Sequence, residues 1–221
     1  MKVFSDILYT CPLFADIAKE DLSAMLSCLN ARTISAEKGG YLLKEGSPAL
    51  YVGILLSGRA QVVRTDYFGN RSIVVSIQSG ELFAEAFACA DVDMLPVSVE
   101  AVEPSTALLI DCRRIMNPCC HACAFHSQLI FNLLKMIAVK NLTMHQKAEI
   151  TSKRTTREKL MTYLTLQAKQ ADSDRFTIPF DRQALADYLG VDRSGLSAEM
   201  SRLKQEGFIN YYKNSFHLKR I

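Results

Sequence analysis

No stretch of the 221 residues approaches the roughly 18 consecutive apolar positions that a membrane-spanning helix needs. Met1-Lys2-Val3-Phe4-Ser5-Asp6 does not lead into the apolar core of a secretory signal, so a cytoplasmic protein with no membrane partner is expected. An excess of either charge is also lacking: 26 Lys and Arg against 23 Asp and Glu leave a net charge of only +3. With 49% apolar and 22% charged residues, neither a disordered chain nor a collagen or coiled-coil rod fits. There is no phosphate-cradling glycine-rich loop and no metalloprotease motif. Nothing places an orienting group or an oxyanion site beside a Cys/His pair, so an enzyme is not expected. The seven cysteines are odd in number and irregularly spaced, which suits reduced thiols rather than a secreted disulfide framework.

What is present is unevenly distributed. Residues 1–150 hold 13 Lys and Arg against 15 Asp and Glu, a balance of −2, whereas residues 151–221 hold 13 against 8, a balance of +5. Basic character is therefore concentrated in the C-terminal third. Apolar residues at 13, 14, 17, 22, 25, 26 and 29 predict one or two short amphipathic helices with a break near Asp16. From Thr33 to Asp111 the texture becomes β-rich. Leu50–Leu56, Ala60–Arg64, Ile73–Ile77, Val97–Val102 and Thr106–Ile110 are strand-length runs separated by glycine-containing turns, which predicts an antiparallel β-roll.

Between Phe125 and Lys153 there is no Gly or Pro and the periodicity is helical. Ile130, Leu134, Ile137, Asn141, Met144 and Ala148 follow the a/d spacing of a coiled-coil seam, which predicts a helix that pairs with its copy in a homodimer. A helix buried along its own domain is the alternative. Leu129, Leu133 and Met136 form a second stripe suited to packing on the β-roll, so both arrangements can coexist.

Thr155 followed by Glu158 is a capping-box pattern that opens a further helix, and a short strand is expected at Phe176–Pro179. Asp181 can then cap a helix Arg182–Leu189 stopped by Gly190, and Asp192 a second helix Arg193–Glu206 stopped by Gly207. This is the helix-turn-helix pattern. Phe208–Tyr212 and Phe216–Lys219, joined by Lys213-Asn214-Ser215, read as a hairpin, the wing of a winged helix-turn-helix. With the second helix in a major groove, Arg193, Ser194, Ser197, Ala198 and Arg202 are the candidate base-reading residues. Arg182, Gln183, Lys204 and Lys213 are the candidate phosphate contacts. The alternative for each charged residue is a solvated helix face.

The order of these parts resembles the cyclic-AMP receptor/fumarate-nitrate regulator (Crp/Fnr) superfamily of bacterial transcription factors over nearly the whole chain. Lys38–Gly46 and Leu50–Gly58 look like the opening strands of a cyclic-nucleotide-binding domain, Ser79–Phe87 sits where the phosphate-binding cassette belongs, and Arg182–Ser194 carries the family helix-turn-helix spacing. The resemblance implies an α+β chain in three parts: a sensing β-roll over 1–124, a dimerisation helix over 125–153 and a winged helix-turn-helix over 154–221. It also implies a homodimer on near-palindromic double-stranded DNA, contact with RNA polymerase if the protein is an activator, and a small-molecule effector held near Gly80, Glu81, Phe83, Glu85, Leu95, Pro96 and Ser98. Cyclic-AMP-binding relatives carry a glycine-glutamate pair and, about ten residues on, an arginine-serine pair that clamps the phosphate. Here Ala84 precedes Glu85, and Leu95-Pro96 replaces the clamp, so a cyclic phosphate would lose its cation and a hydroxyl donor. An effector other than cyclic AMP is expected. Ala198 stands where relatives often place a base-reading arginine, so their operator sequences do not transfer.

Cys119, Cys120, His121, Cys123 and His126 cluster just before the long helix. Cys120 and Cys123 have the C-x-x-C spacing of a soft metal site or a redox couple, with His126 three residues on. No cofactor is expected, since free Cys is also an ordinary small core residue. A thiol or metal sensor using Cys119, Cys120, Cys123 and His126, with a metal ion or iron–sulfur cluster, is the alternative. Iron–sulfur relatives draw most ligands from an N-terminal cysteine run, where this chain has only Cys11 and Cys28.

Overall fold

The computed structural model describes residues 5–117 and 124–219. The chain divides into two compact units, residues 1–139 and 140–221. In the first, α1 (Ser5–Thr10), a 3-10 turn (Pro12–Phe14) and α2 (Leu22–Cys28) precede eight strands: β1 (Arg32–Ala36), β2 (Tyr41–Leu43), β3 (Tyr51–Ser57), β4 (Ala60–Thr65), β5 (Arg71–Ile77), β6 (Leu82–Phe83), β7 (Ser98–Ala101) and β8 (Ser105–Asp111). Two short helices interrupt or follow them, α3 (Glu85–Cys89) and α4 (Cys112–Met116). The break expected near Asp16 coincides with a left-handed residue there, φ +61°.

The strands form two antiparallel four-stranded sheets, β1-β8-β3-β6 and β2-β7-β4-β5. Alternation along the central strands decides where the core lies. Leu55 of β3 and Ala107 and Leu109 of β8 point to a core shared with Leu42, Ala60, Ile77, Phe83 and Val99. Their neighbours Val52, Ile54, Leu56, Leu108 and Ile110 point the other way, into a second core with Leu13, Met25 and Leu29. The β-roll is thus packed on both faces of one sheet. Gly53 of β3 lies against the Phe83 ring, where a Cβ would collide with it.

The helix α5 (Ala124–Thr151) spans the boundary between the units. Leu129 and Leu133 are buried in the second core and Met136 packs against it, as their stripe predicts. The predicted seam is divided. Ile130 and Ile137 are partly buried at the margin of that core, whereas Leu134, Asn141, Met144 and Ala148 are exposed. The large apolar side chains that α5 exposes are Phe131, Leu134, Val139, Leu142 and Met144, of which Leu134 and Met144 belong to the predicted seam. The a/d count assigned Ile130 and Ile137 outward; their own domain recruits them instead. Asn132, also on α5, is buried, and its amide donates to the carbonyls of Leu13 (3.0 Å) and Ala15 (2.8 Å).

The second unit holds α6 (Thr156–Gln170), β9 (Arg175–Thr177), α7 (Arg182–Leu189), α8 (Arg193–Gln205), β10 (Ile209–Tyr212) and β11 (Ser215–Leu218). Its sheet has the order β10-β11-β9, all antiparallel. Ile150, Leu160, Leu164, Leu185, Leu189, Leu196, Met200 and Leu203 form its core.

Candidate nucleic-acid interface

Each helix of the C-terminal unit begins on a side-chain cap chosen by local sequence. Thr155 and Glu158 form the reciprocal box at α6: the Glu158 amide donates to Thr155 Oγ1 and the Thr155 amide to Glu158 Oε2, both at 3.1 Å. At α7, Asp181 accepts from the Ala184 amide at 2.8 Å. Gly190 closes that helix with φ +61°, a conformation that costs glycine little. Two residues later Asp192 opens α8 by accepting from the Gly195 amide at 2.8 Å and from the Ser194 hydroxyl. These bonds hold the Asp192 carboxyl below the usual carboxylate range, the Ser194 hydroxyl contributing most.

The turn and the buried residues Leu185, Ala186, Leu189, Leu196, Met200 and Leu203 fix the two helices against each other. Arg193, Ser194, Ala198 and Arg202 project into solvent from α8, and Ser197 is half-buried. All five predicted base-reading residues therefore reach solvent, with Ser194, Ser197 and Ala198 on one side of the helix and Arg193 and Arg202, nine residues apart, at its two flanks. Ser194 is held by its bond to Asp192, and Arg202 leans 3.7 Å from Glu199. Ser201 and Gln205 are exposed on the same side and were not singled out from sequence. Their signal is spacing: Ser194, Ser197, Ser201 and Gln205 follow steps of three, four and four along the face opposite Leu196 and Leu203.

The predicted phosphate contacts differ more. Arg182 is turned inward, its guanidinium against the Met200 sulfur and 5.1 Å from the centre of the Tyr211 ring, so it is not a free surface cation. The attraction of a cation for an aromatic face competes with solvent here. Gln183 donates to Asp187 at 2.9 Å. Lys204 sits 5.3 Å over Tyr211, and Lys213, at the hairpin turn with φ +53°, sits 5.6 Å over Tyr212. Beside α8, a groove of about 690 Å³ is lined by Arg175, Lys204, Asn210, Tyr211, Tyr212 and His217 among others. Apart from Lys204, these residues were missed. Arg175 and His217 meet only because β9 pairs with β11 in the folded unit.

Arg157 supplies the joint beneath this surface. Its guanidinium forms a two-pronged pair with Glu206 after α8, lies 3.6 Å from Glu199 and packs over the Phe208 ring. The pairing holds the Glu206 carboxyl below its ordinary value.

In the N-terminal unit, the residues expected to hold an effector are dispersed in character. Gly80 occupies a left-handed turn (φ +89°), and the Glu81 carboxylate accepts from the Gln78 amide at 2.8 Å. Glu85 and Leu95 are buried, Pro96 is exposed, and the Ser98 hydroxyl accepts from the Glu45 amide at 3.0 Å. Phe83 is a core residue, packed over Gly53. A groove of about 470 Å³ lies elsewhere in this unit, walled by residues such as Arg32, Tyr41, Lys44 and Tyr51. None of the predicted pocket residues lines it.

Cys119, Cys120 and Cys123 lie outside the described residues. His126 is described: it is buried, stacks on Phe125, and its Nδ1 has no hydrogen-bond partner among the described residues. Among the described residues no group of three His, Cys, Asp or Glu side chains is placed to hold a metal ion, and no helix is long and apolar enough to cross a membrane.

Comparison with known proteins agrees with this division. A cyclic nucleotide-binding domain model matches residues 33–117, and a Crp-like helix-turn-helix domain model matches residues 158–221. Among solved structures, DNR from Pseudomonas aeruginosa is 21% identical over 100% of this chain and 95% of its own, with a TM-score of 0.52. The DNR sensor domain covers 70% of this chain and 95% of its own at 21% identity and a TM-score of 0.54. The c-di-GMP responsive global regulator CLP of Xanthomonas campestris is 13% identical, covering 92% of this chain and 100% of its own, with a TM-score of 0.55. These structures share the fold. Among curated protein sequences no match is found.

Proposed function

We propose, from the premise that this chain belongs to the Crp/Fnr superfamily of transcription regulators, that it binds specific near-palindromic double-stranded DNA sites as a homodimer under the control of a small effector. The observation that carries the reading is α8: a helix capped at its N-terminus by Asp192, locked on a buried core, and presenting Arg193, Ser194, Ser197, Ala198, Ser201 and Arg202 together. Such a face reads base edges in a major groove, Arg193 by donating to guanine and Ala198 by touching a thymine methyl. Lys204, Lys213 and Gln183 position the duplex through its phosphates, which fixes register without reading sequence. In an activator, RNA polymerase is a further partner.

The effector is not cyclic AMP. Leu95 is a buried apolar residue where a phosphate clamp would need a cation, and Pro96 offers no hydroxyl. Effector binding shifts the population toward the dimer geometry whose two reading helices match one turn of DNA. Gel-shift analysis against genomic fragments tests this reading. Site-selective complexes that weaken as salt rises are expected. No selective complex under reducing or oxidising conditions, with or without cellular extract, would refute it.

A second reading is a metal or thiol sensor built on Cys119, Cys120, Cys123 and His126. One observation favours it, the buried and unpartnered Nδ1 of His126 among the described residues, since an orphaned imidazole nitrogen is costly and is a common metal ligand. Metal analysis of anaerobically purified protein decides between the two. Stoichiometric metal lost on His126→Ala supports the sensor, and metal-free protein whose DNA binding is indifferent to oxidant removes it.

A further inference from the structure

Two cysteines outside the 119–123 cluster meet in the folded β-roll. Cys89 ends α3 and Cys112 begins α4, 23 residues apart in sequence, and their sulfurs are 3.5 Å from each other. Both backbones are fixed. The Cys112 amide donates to the Leu50 carbonyl at 2.9 Å, and Asp111 caps α4 by accepting from the Arg113 amide at 3.0 Å. Cys89 lies in a helical turn closed by the Ala90 amide on the Ala86 carbonyl at 3.1 Å. A disulfide needs the sulfurs at about 2.0 Å, so the pair must close in from 3.5 Å to form one.

The two thiols are chemically unequal. Cys112 is buried, while Cys89 is partly open to solvent. A hydrogen bond from the Cys112 thiol holds Cys89 below the ordinary thiol value, against burial and the nearby Glu85 charge. The same bond, together with burial, pushes Cys112 up. An accessible sulfur that ionises first, beside a buried partner, is the arrangement of an attacking and a resolving cysteine.

We propose that Cys89 and Cys112 are a redox modification site that closes to a reversible intramolecular disulfide when the protein meets a peroxide. The Cys89 thiolate attacks one peroxide oxygen: an S–O bond forms, the O–O bond breaks, and the departing hydroxide takes up a proton to become water. The Cys112 sulfur then attacks Cys89: the S–S bond forms, the S–O bond breaks, and the hydroxide released combines with the Cys112 proton. Two thiols and one hydrogen peroxide give one disulfide and two waters, the two sulfurs supplying the two electrons. The bond ties α3, which starts at Glu85, to α4, whose Cys112 and Ile115 share a core with Leu129 and Leu133 of α5. Oxidation thereby reaches the core on which the long helix rests. The site does not depend on the proposed DNA binding or effector.

The sequence supplies a clean test. No Lys or Arg lies between Ser72 and Arg113, so trypsin releases residues 72–113 as one fragment holding Cys89 and Cys112 and no other cysteine. Full-length reduced protein is treated with stoichiometric hydrogen peroxide, its remaining thiols are alkylated, and the digest is weighed. The fragment is expected unalkylated and about 2 Da lighter than its reduced form, returning to the reduced mass with dithiothreitol. The triple variant Cys119→Ser/Cys120→Ser/Cys123→Ser gives the same result, and in Cys112→Ala the Cys89 sulfenic acid is trapped by dimedone. A doubly alkylated fragment, a fragment cross-linked to another peptide, or Cys89 recovered as sulfinic acid would overturn the proposal. The wild-type measurement decides even if Cys112→Ala fails to fold.

Discussion

Arg157 in the first turn of α6 grips Glu206, the residue after α8, through both guanidinium nitrogens, joining two helices whose sequence positions are 49 apart. The pair stands at the end of α8 away from Arg193, and Glu199 and Phe208 complete its surroundings. It sets the pose of the helix proposed to read DNA. Arg157→Ala is expected to speed amide exchange in the last turn of α8 and to weaken DNA binding at every site alike. Arg157→Lys should recover only part of both, because an ammonium cannot reproduce the fork. Unchanged exchange in Arg157→Ala would remove this positioning role.

Base reading and phosphate contact separate by their effect on specificity. Arg193→Ala is expected to lose about 1–3 kcal/mol of discrimination at one base pair of each half-site while keeping non-specific affinity. Lys213→Ala should weaken all sequences uniformly and lower the salt slope by about one. Binding titrations on a site and its single-base variants, at several salt concentrations, distinguish the two outcomes. Arg182→Ala, by contrast, acts first on stability, since its guanidinium lies on Met200 and Tyr211.

Three carboxylates at helix ends make stability depend on acid. Glu158 is held low chiefly by the Thr155 amide, Asp192 chiefly by the Ser194 hydroxyl, and Glu206 chiefly by Arg157. A carboxyl lowered in the folded state stabilises above its unfolded value, near 4, and loses that contribution as pH falls through the folded value. The melting midpoint should therefore drop between about pH 5 and pH 3, and Asp192→Asn should flatten the decline. A profile unchanged by Asp192→Asn would show that the cap is not responsible.

Two buried sites in the N-terminal unit test its packing. Gly53→Ala drives a methyl group into the Phe83 ring and is expected to cost about 1–3 kcal/mol. Asn132→Ala leaves the Leu13 and Ala15 carbonyls without their donor, at a cost of about 1–3 kcal/mol. Urea denaturation of each variant measures both. Stabilities within error of wild type would contradict the packing described.

What the sequence disclosed follows the range of the interactions involved. Asp181, Gly190, Asp192 and the Thr155–Glu158 box are fixed by residues within four positions, so both reading helices were legible with ends accurate to about one residue. The long central strands announced themselves through β-rich runs, whereas β1 and β6 escaped notice because partners far along the chain define them. The same reason hid the Arg157–Glu206 pair, the inward turn of Arg182 and the approach of Cys89 to Cys112. The seam on α5 misled in part because two apolar stripes share one helix: an a/d count cannot tell that Ile130 and Ile137 pack on their own domain while Phe131 and Leu142 face out.

Sequence-selective reading of duplex DNA is best measured by incubating the full-length protein with a randomised double-stranded DNA pool and sequencing what it retains. A near-palindromic motif with two half-sites about one helical turn apart is expected, lost in Arg193→Ala and weakened by added salt. Retention of the pool without any enriched motif, in reduced and oxidised protein alike, would contradict it.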